Sequence, residues 1–223
     1  MSPDECTLVS VSDCHSTADV VFVLDASVRS VSDATNWQTK LDFLQDIVEQ
    51  LDIGTNAINI GLVTFSADAR AEFFLYQYVN RDEVNQAIST VTLSANGTNM
   101  AAAIKVMRQS LFRQRSGNRK NSPDVAIIIT DSKPTLLANK YQIEANMAEA
   151  MGIHLVAVGI TKAVGQTYID NLATDASSSF HVDHYSDLTS IVGNIVHEIH
   201  GSAREVCPSV VSKGMSTSCL TFL

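Results

Sequence analysis

The chain has 223 residues, of which 45% are hydrophobic, and its formal net charge is -9. This length fits one large globular domain or two small ones, and the acidic balance argues against binding to nucleic acid or to an anionic membrane, which both need a positive field. No apolar run approaches the roughly 20 residues that a transmembrane helix needs, so we expect no membrane span.

Continuous apolar runs rich in β-branched residues predict the buried strands of the fold. In chain order these runs span residues 19–25, 57–65, 124–131 and 153–160. Because their apolar residues are continuous rather than alternating, both faces of each strand should be buried, as in a parallel sheet between helix layers. The shorter, more polar run 69–75 suits an edge strand that pairs antiparallel to 57–65 across the turn at 66–68.

Helical patterns separate the predicted strands. They cover residues 36–51, 81–91, 99–114, 139–151 and 186–200. The first carries one apolar stripe at helical spacing, formed by Trp37, Leu41, Leu44, Ile47, Val48 and Leu51. Strands that alternate with helices predict a doubly wound α/β fold, with a mostly parallel central sheet, one short antiparallel edge strand and helices on both faces. We expect an N-terminal segment at 1–18, one domain at 19–206 and a C-terminal extension at 207–223.

Four cysteines flank the predicted domain: Cys6 and Cys14 precede it, and Cys207 and Cys219 follow it. An even set around an uninterrupted body indicates disulfides that tie the termini together in an oxidising compartment. We favour a Cys14–Cys207 bond, which leaves Cys6 to pair with Cys219. Free thiols or a zinc site are the alternative, although neither pair has the close spacing typical of zinc ligands.

The first residues lack the layout of a signal peptide, so we interpret them as mature sequence behind an added Met1.

Polar side chains gather where the predicted strands end. Asp25 and Asp131 each end a strand, Ser27 follows Asp25 by two residues, and Thr98 begins a predicted helix, where it could also act as a helix cap. Ligands of such sheets bind beyond the carboxyl ends of the strands. Two carboxylates and two hydroxyls at one rim suit a hard divalent cation such as Mg²⁺ or Ca²⁺.

The segments VVFVLDASVRS, INIGLVTFSADA, NGTNMAAAI, VAIIITDSKP and GIHLVAVGI together resemble the von Willebrand factor type A domain, over residues 19–200. The most similar type is the secreted one of matrilins, collagen VI and molluscan shell or byssal matrix proteins. The resemblance implies a metal-ion-dependent adhesion site, in which Asp25 and Ser27 match a DxSxS loop, Thr98 matches the threonine and Asp131 matches the aspartate. In that family the partner supplies a carboxylate to an open coordination position of the metal.

The third loop position departs from the family pattern, because Arg29 stands where the family has serine. A guanidinium has no lone pair for a metal, and at about 5 Å it would repel a divalent ion by about 6 kcal/mol at an effective dielectric of 20. Arg29 could turn to solvent while water or Ser30 takes the position, replace the cation by pairing with Asp25 or Asp131, or grip an anionic partner. Both a weak Mg²⁺ or Ca²⁺ site and a metal-free site stay open. Ser132 is a second departure, because it replaces the family's usual glycine after Asp131.

Two other features bear on partners. The sequon NGT makes Asn96 a candidate for glycosylation on the same rim, although the turn and Thr98 could require these residues without any sugar. The stretch from Lys105 to Lys120 is either a solvated helix end or a patch for a polyanion or protein partner. Its basic residues are Lys105, Arg108, Arg113, Arg115, Arg119 and Lys120.

The sequence predicts a binding module rather than an enzyme. It lacks the GxSxG, GxGxxG and phosphate-loop motifs, and Ser27 stands where a dehalogenase-type phosphatase has its second acid. We expect a secreted, non-enzymatic adhesion module that binds an extracellular matrix protein, such as collagen, through the rim around Asp25. The alternative is a metal-independent structural component of a matrix assembly that uses other surfaces.

Overall fold

A seven-stranded sheet forms the centre of the protein in a computed structural model, which describes residues 14–28, 33–94 and 96–207. The strands are β1 His15–Asp25, β2 Ile58–Phe65, β3 Ala69–Phe73, β4 Asp124–Thr130, β5 Ile153–Ile160, β6 Ser179–Val182 and β7 Arg204–Val206. Their order is β3-β2-β1-β4-β5-β6, with β7 paired to β1. The strands from β2 to β6 in this order are parallel, and β3 is antiparallel to β2. The predicted fold class, with its antiparallel edge strand, is confirmed.

Helices connect the strands. They are α1 Asp33–Glu49, α2 Arg81–Ser89, α3 Met100–Val106, α4 Tyr141–Glu149, α5 Gln166–Asp170 and α6 Val192–Ser202. A π-helical segment, Met107–Leu111, continues α3, and a 3₁₀ segment, Tyr185–Ile191, precedes α6. The sequence pattern missed α5, whose five residues are too few to show a helical period. Within the described ranges, no helix is long and apolar enough to cross a bilayer.

The apolar side chains form one buried cluster on each face of the sheet. In β1, Phe22 and Leu24 contribute to the cluster beneath α1, α2 and α6, whereas Val21 and Val23 contribute to the cluster beneath α3, α4 and α5. Successive side chains of a strand point to opposite faces, so a strand covered on both faces must be apolar throughout. This explains why the central strands read as continuous apolar runs.

Two strands lie outside the sequence prediction. β6 has four residues and β7 has three, so neither is long enough to show an apolar pattern. β7 pairs antiparallel with the start of β1, which begins at His15, inside the segment predicted to precede the domain. A disulfide with an S–S distance of 2.05 Å joins Cys14 to Cys207 beside this pairing, and it is the bond favoured from the sequence. Cys6 and Cys219 lie outside the described residues.

A buried ion pair between Asp19 and Arg119 lies at the amino ends of the parallel strands. Asp19 in β1 is 0% exposed, and its carboxylate accepts hydrogen bonds from the backbone N–H of Arg119 at 2.5 Å and from Arg119 Nε at 2.8 Å. The same guanidinium donates to the carbonyl oxygens of Ala18, Thr55 and Ala57. Burial raises the pKa of Asp19, and the contacts with Arg119 oppose that rise. Arg119 is therefore a structural residue that holds three chain segments together.

Asp124 at the start of β4 pairs in register with Asp19 of β1. Burial and the nearby Asp19 carboxylate both make a negative charge on Asp124 unfavourable. Burial raises its pKa to about 6; the hydrogen bond from Asn118 opposes the rise and the Asp19 carboxylate adds to it. The folded state thus holds the proton more tightly than the unfolded state, so this contribution to stability is fully present below the unfolded pKa of about 3.8 and is lost as pH rises through the folded pKa of about 6.

We predict that Asp124→Asn raises the midpoint of thermal unfolding by roughly 2 to 6 °C near neutral pH and leaves it nearly unchanged at about pH 4. The neutral amide replaces a carboxylate that is charged only at the higher pH. Circular dichroism melts at both pH values would measure the difference. The exposed Asp46→Asn serves as the control and should show no such pH-dependent gain. Equal shifts at the two pH values would contradict the assignment.

Candidate functional site

Two buried carboxylates meet at the carboxyl edge of the sheet. Asp25 is the last residue of β1, and Asp131 directly follows β4, the neighbouring parallel strand. Asp25 is 0% exposed and Asp131 is 7% exposed. Like charges held this close in a buried position repel each other, so the site needs hydrogen-bond donors and positive charge.

Hydroxyl groups supply donors to Asp25. Its Oδ1 accepts from the backbone N–H of Ser27 at 3.1 Å and from Ser27 Oγ at 2.6 Å. Its Oδ2 accepts from Thr130 Oγ1 at 2.9 Å and from Ser132 Oγ at 3.0 Å. Ser132, the departure from the family glycine, is therefore a direct partner of the predicted ligand Asp25. Hydrogen bonds to the charged form stabilise a carboxylate in a buried place.

Lys40 in α1 supplies the positive charge. Its Nζ lies 3.1 Å from Asp131 Oδ2 and donates to the backbone carbonyl of Asp25 at 2.6 Å. The Lys40 residue is 2% exposed, and its ammonium also lies 5.4 Å from the centre of the Trp37 ring. Tyr185 adds a neutral donor, because its hydroxyl lies 2.5 Å from Asp131 Oδ2. Neither Lys40 nor Tyr185 belongs to the site predicted from the sequence.

The sequence does contain a signal for Lys40. Position 40 lies three residues after Trp37 and four before Leu44, so it falls on the same apolar stripe of the helix. A lysine within an otherwise apolar stripe needs a buried anion as its partner. Tyr185 carries no comparable signal, because it follows the short strand β6, which the pattern does not reveal.

Thr98 reaches the site through Ser132. The two hydroxyl oxygens are 2.9 Å apart, and Thr98 is 1% exposed. The alternative role as a helix cap belongs instead to Asn99, whose side chain accepts from the backbone N–H of Ala102. The structure thus brings Asp25, Ser27, Thr98 and Asp131 to one edge. Their role as metal ligands stays a prediction.

Two residues of the predicted loop cannot be placed. Arg29 and Ser30 lie outside the described residues, so the three interpretations of Arg29 stay as they were. Asn96 is exposed on the same edge, and its glycosylation also stays a prediction. The contacts that Asp25, Thr98 and Asp131 make with Lys40, Thr130 and Ser132 lie within the described residues.

The oxygen ligands of the site suit a divalent cation, but the positive charge of Lys40 beside them does not. The two carboxylates and the hydroxyls provide hard oxygen ligands, although the described residues contain no group of three or more His, Cys, Asp or Glu side chains that could hold a metal. Asp131 already binds the Lys40 ammonium. A divalent ion on the same carboxylate would lie within about 5 Å of that ammonium, at the repulsion of about 6 kcal/mol that an effective dielectric of 20 gives for this distance. As arranged, the site does not fit Mg²⁺ or Ca²⁺.

The loop of residues 132–140, here called the edge loop, connects the buried site to the surface. Its Thr135 and Leu136 donate their backbone N–H groups to the Thr98 carbonyl at 3.0 and 3.2 Å, and Thr135 Oγ1 accepts from the Thr98 N–H at 2.9 Å. Leu136 and Leu137 are 41% and 57% exposed. Leu137 has a φ of 49°, a strained conformation for leucine. The edge loop therefore exposes two apolar side chains to solvent while its backbone is hydrogen-bonded to Thr98.

The basic stretch from Lys105 to Lys120 divides into two groups. Arg108 pairs with Glu144 at 2.5 Å, and Arg119 pairs with Asp19, so both stabilise the fold. The exposed members are Lys105, Arg113, Arg115 and Lys120. A polyanion partner for these four stays a prediction.

Comparison with known proteins identifies similar sequences and folds. The model of the von Willebrand factor type A domain matches residues 19–194. Matrilin-1 of Homo sapiens is 30% identical over 176 residues, which is 78% of this chain and 34% of matrilin-1. The transmembrane cell adhesion receptor mua-3 of Caenorhabditis elegans is 30% identical over 194 residues, which is 86% of this chain and 5% of the receptor.

A solved structure of proximal thread matrix protein 1 from the mussel byssus, with a zinc-occupied MIDAS motif, has a TM-score of 0.77 at 24% identity. The match covers 87% of this chain and 49% of that chain, and it shows the fold. This chain therefore spans about a third or less of the two curated relatives and about half of the solved chain.

We predict that Tyr185→Phe lowers the free energy of unfolding by about 1 to 2 kcal/mol, because Asp131 loses a donor in a buried position. Urea denaturation would measure the change. Tyr76→Phe is the matched control, since Tyr76 is 58% exposed. Equal losses in the two variants would mean that the Tyr185 hydroxyl contributes nothing specific to the site.

Proposed function

The chain belongs to the von Willebrand factor type A domain family, and we propose that it is a non-enzymatic module of the extracellular matrix. In this proposal it binds a matrix protein through the carboxyl edge of its sheet. Support comes from the sequence similarity to matrilin-1 and to a collagen, the collagen alpha-5(VI) chain of Mus musculus. The Cys14–Cys207 disulfide agrees with an oxidising, extracellular location.

The main support for this proposal is the exposed edge loop, which is hydrogen-bonded to the buried Thr98. Leu136 and Leu137 give it apolar contact area, and the exposed Lys133 and Lys140 give it positive charge. Exposed apolar side chains among polar ones are typical of a protein-binding surface. A matrix protein with apolar and acidic side chains would be complementary, and collagen is one candidate.

The arrangement of the buried groups supports a binding role over catalysis. Ser27 Oγ donates to Asp25 at 2.6 Å, and Ser132 Oγ donates to the other oxygen of the same carboxylate at 3.0 Å. A nucleophilic serine needs a base that removes its proton and space for a substrate. Here the hydroxyls stabilise a carboxylate that is 0% exposed, so their role is structural.

One observation favours the alternative, a structural role through another surface. On α4 and just beyond its end, Ile143, Met147 and Met151 are 47%, 47% and 46% exposed. Their spacing of four residues places them on one side of the helix. This apolar stripe, here called the α4 stripe, is a second surface on which a matrix assembly could pack.

We predict that Leu137→Asp weakens binding to immobilised collagen or to solubilised matrix protein at least tenfold, whereas Met147→Asp leaves it unchanged. Aspartate tolerates the left-handed conformation at position 137, so the variant should fold. Surface plasmon resonance would compare both variants with the unaltered protein. The reverse pattern would assign binding to the α4 stripe, and equal binding by all three proteins would contradict the role of the edge loop.

A further inference from the structure

We propose that the ammonium of Lys40 permanently takes the place of the divalent cation, so that the carboxyl edge of the sheet works without metal. The claim about stability concerns this chain's own residues. The claim about metal-independent binding rests on the proposed function.

The Lys40 ammonium lies between the ends of the two central strands. Lys40 Nζ lies 3.1 Å from Asp131 Oδ2 and 2.6 Å from the Asp25 carbonyl oxygen, so it bridges both strand ends. A divalent ion held by Asp25 and Asp131 would also join these two ends. The ammonium therefore supplies charge and a cross-link between the same two residues.

The packing around Lys40 holds its side chain in place. Only 2% of it is exposed, and Trp37, on the same side of α1, holds the helix by donating from Nε1 to the Val91 carbonyl at 3.2 Å. The Trp37 ring also lies 5.4 Å from the ammonium, within the range of a cation–π contact. Moving the ammonium aside would either leave it buried and unpaired or displace α1, and both are costly.

The carboxylate oxygens of Asp25 and Asp131 already accept hydrogen bonds from the protein. Asp25 accepts from Ser27, Thr130 and Ser132, and Asp131 accepts from Lys40 and Tyr185. A metal that bound these oxygens would have to displace several of these donors besides overcoming the repulsion from Lys40. The hydroxyl donors and the ammonium both stabilise the ionised carboxylates, so each of them lowers the affinity of these oxygens for a metal ion.

Thermal unfolding in chelator, and then in millimolar Mg²⁺, Ca²⁺, Mn²⁺ and Zn²⁺, tests the inference. The unaltered protein should unfold at the same temperature in every solution. Lys40→Met should unfold at a lower temperature in chelator and should gain a saturable, ion-dependent rise of about 5 to 10 °C at roughly 100 times the dissociation constant. Lys105→Met, which removes an exposed lysine, should behave as the unaltered protein does.

Two results would overturn the inference. One is a saturable, ion-dependent rise in the unaltered protein, which decides the matter even where Lys40→Met does not fold. The other is such a rise in Arg29→Ser with Lys40 intact, which would give the role of the cation to Arg29. Removing Asp25 from the Lys40→Met protein, as Asp25→Ala, should abolish the ion-dependent rise.

Binding measurements separate this inference from the proposed function. If collagen or matrix protein binds equally well in chelator and in Mg²⁺, the edge of the sheet binds its partner without metal, as we infer. Binding that disappears in chelator would overturn the inference and leave the proposed function standing. If no partner binds in either solution while the unfolding results hold, the proposed function fails and the role of Lys40 stands.

Discussion

The placement of two carboxylates at the ends of neighbouring central strands constrains the rest of this edge. Asp25 and Asp131 are almost fully buried, so their charge has to be balanced within the protein. Lys40 offsets one of the two negative charges from α1, and hydroxyls from two further segments stabilise the carboxylates: those of Thr130 and Ser132 at the end of β4, and that of Tyr185 after β6. These contacts fix α1, the loop after β4 and the segment after β6 relative to one another. The edge is thereby organised before any partner arrives.

The other end of β1 presents the same problem and a similar solution. Asp19 and Asp25 stand at opposite ends of one buried strand segment, and both are 0% exposed. Arg119 reaches Asp19 from the segment before β4, just as Lys40 reaches the carboxyl edge from α1. The planar guanidinium has five donors and holds several carbonyls at the amino edge, whereas the compact ammonium of Lys40 fits between two strand ends. An ion pair with Arg119 thus secures the central strand at its amino end, and a hydrogen bond from Lys40 to the Asp25 carbonyl secures it at its carboxyl end.

The sequence was enough to predict the sheet, the antiparallel edge strand and the meeting of Asp25 with Asp131. Each depends on local patterns, namely continuous apolar runs and the polar residues that end them. It was not enough for β6, β7 and Tyr185, because three or four residues carry no period and their positions depend on distant pairings. Lys40 is a different case. The helical stripe placed it on the buried face, but the prediction weighed only a metal ion and Arg29, beside Asp25 in sequence, as sources of positive charge, and did not consider a cation from across the fold.

A fixed internal cation changes what the edge of the sheet can recognise. A metal ion with an open position attracts one carboxylate of a partner, and its occupancy follows the ion concentration of the surroundings. Lys40 offers neither property, because it is 2% exposed and is covalently part of the chain. If this edge binds a partner as we propose, recognition depends on the side chains that the network holds at the surface, above all Leu136 and Leu137 on the loop anchored through Thr98. A surface of this kind would select partners by shape and apolar contact, and its affinity would not follow the concentration of divalent ions.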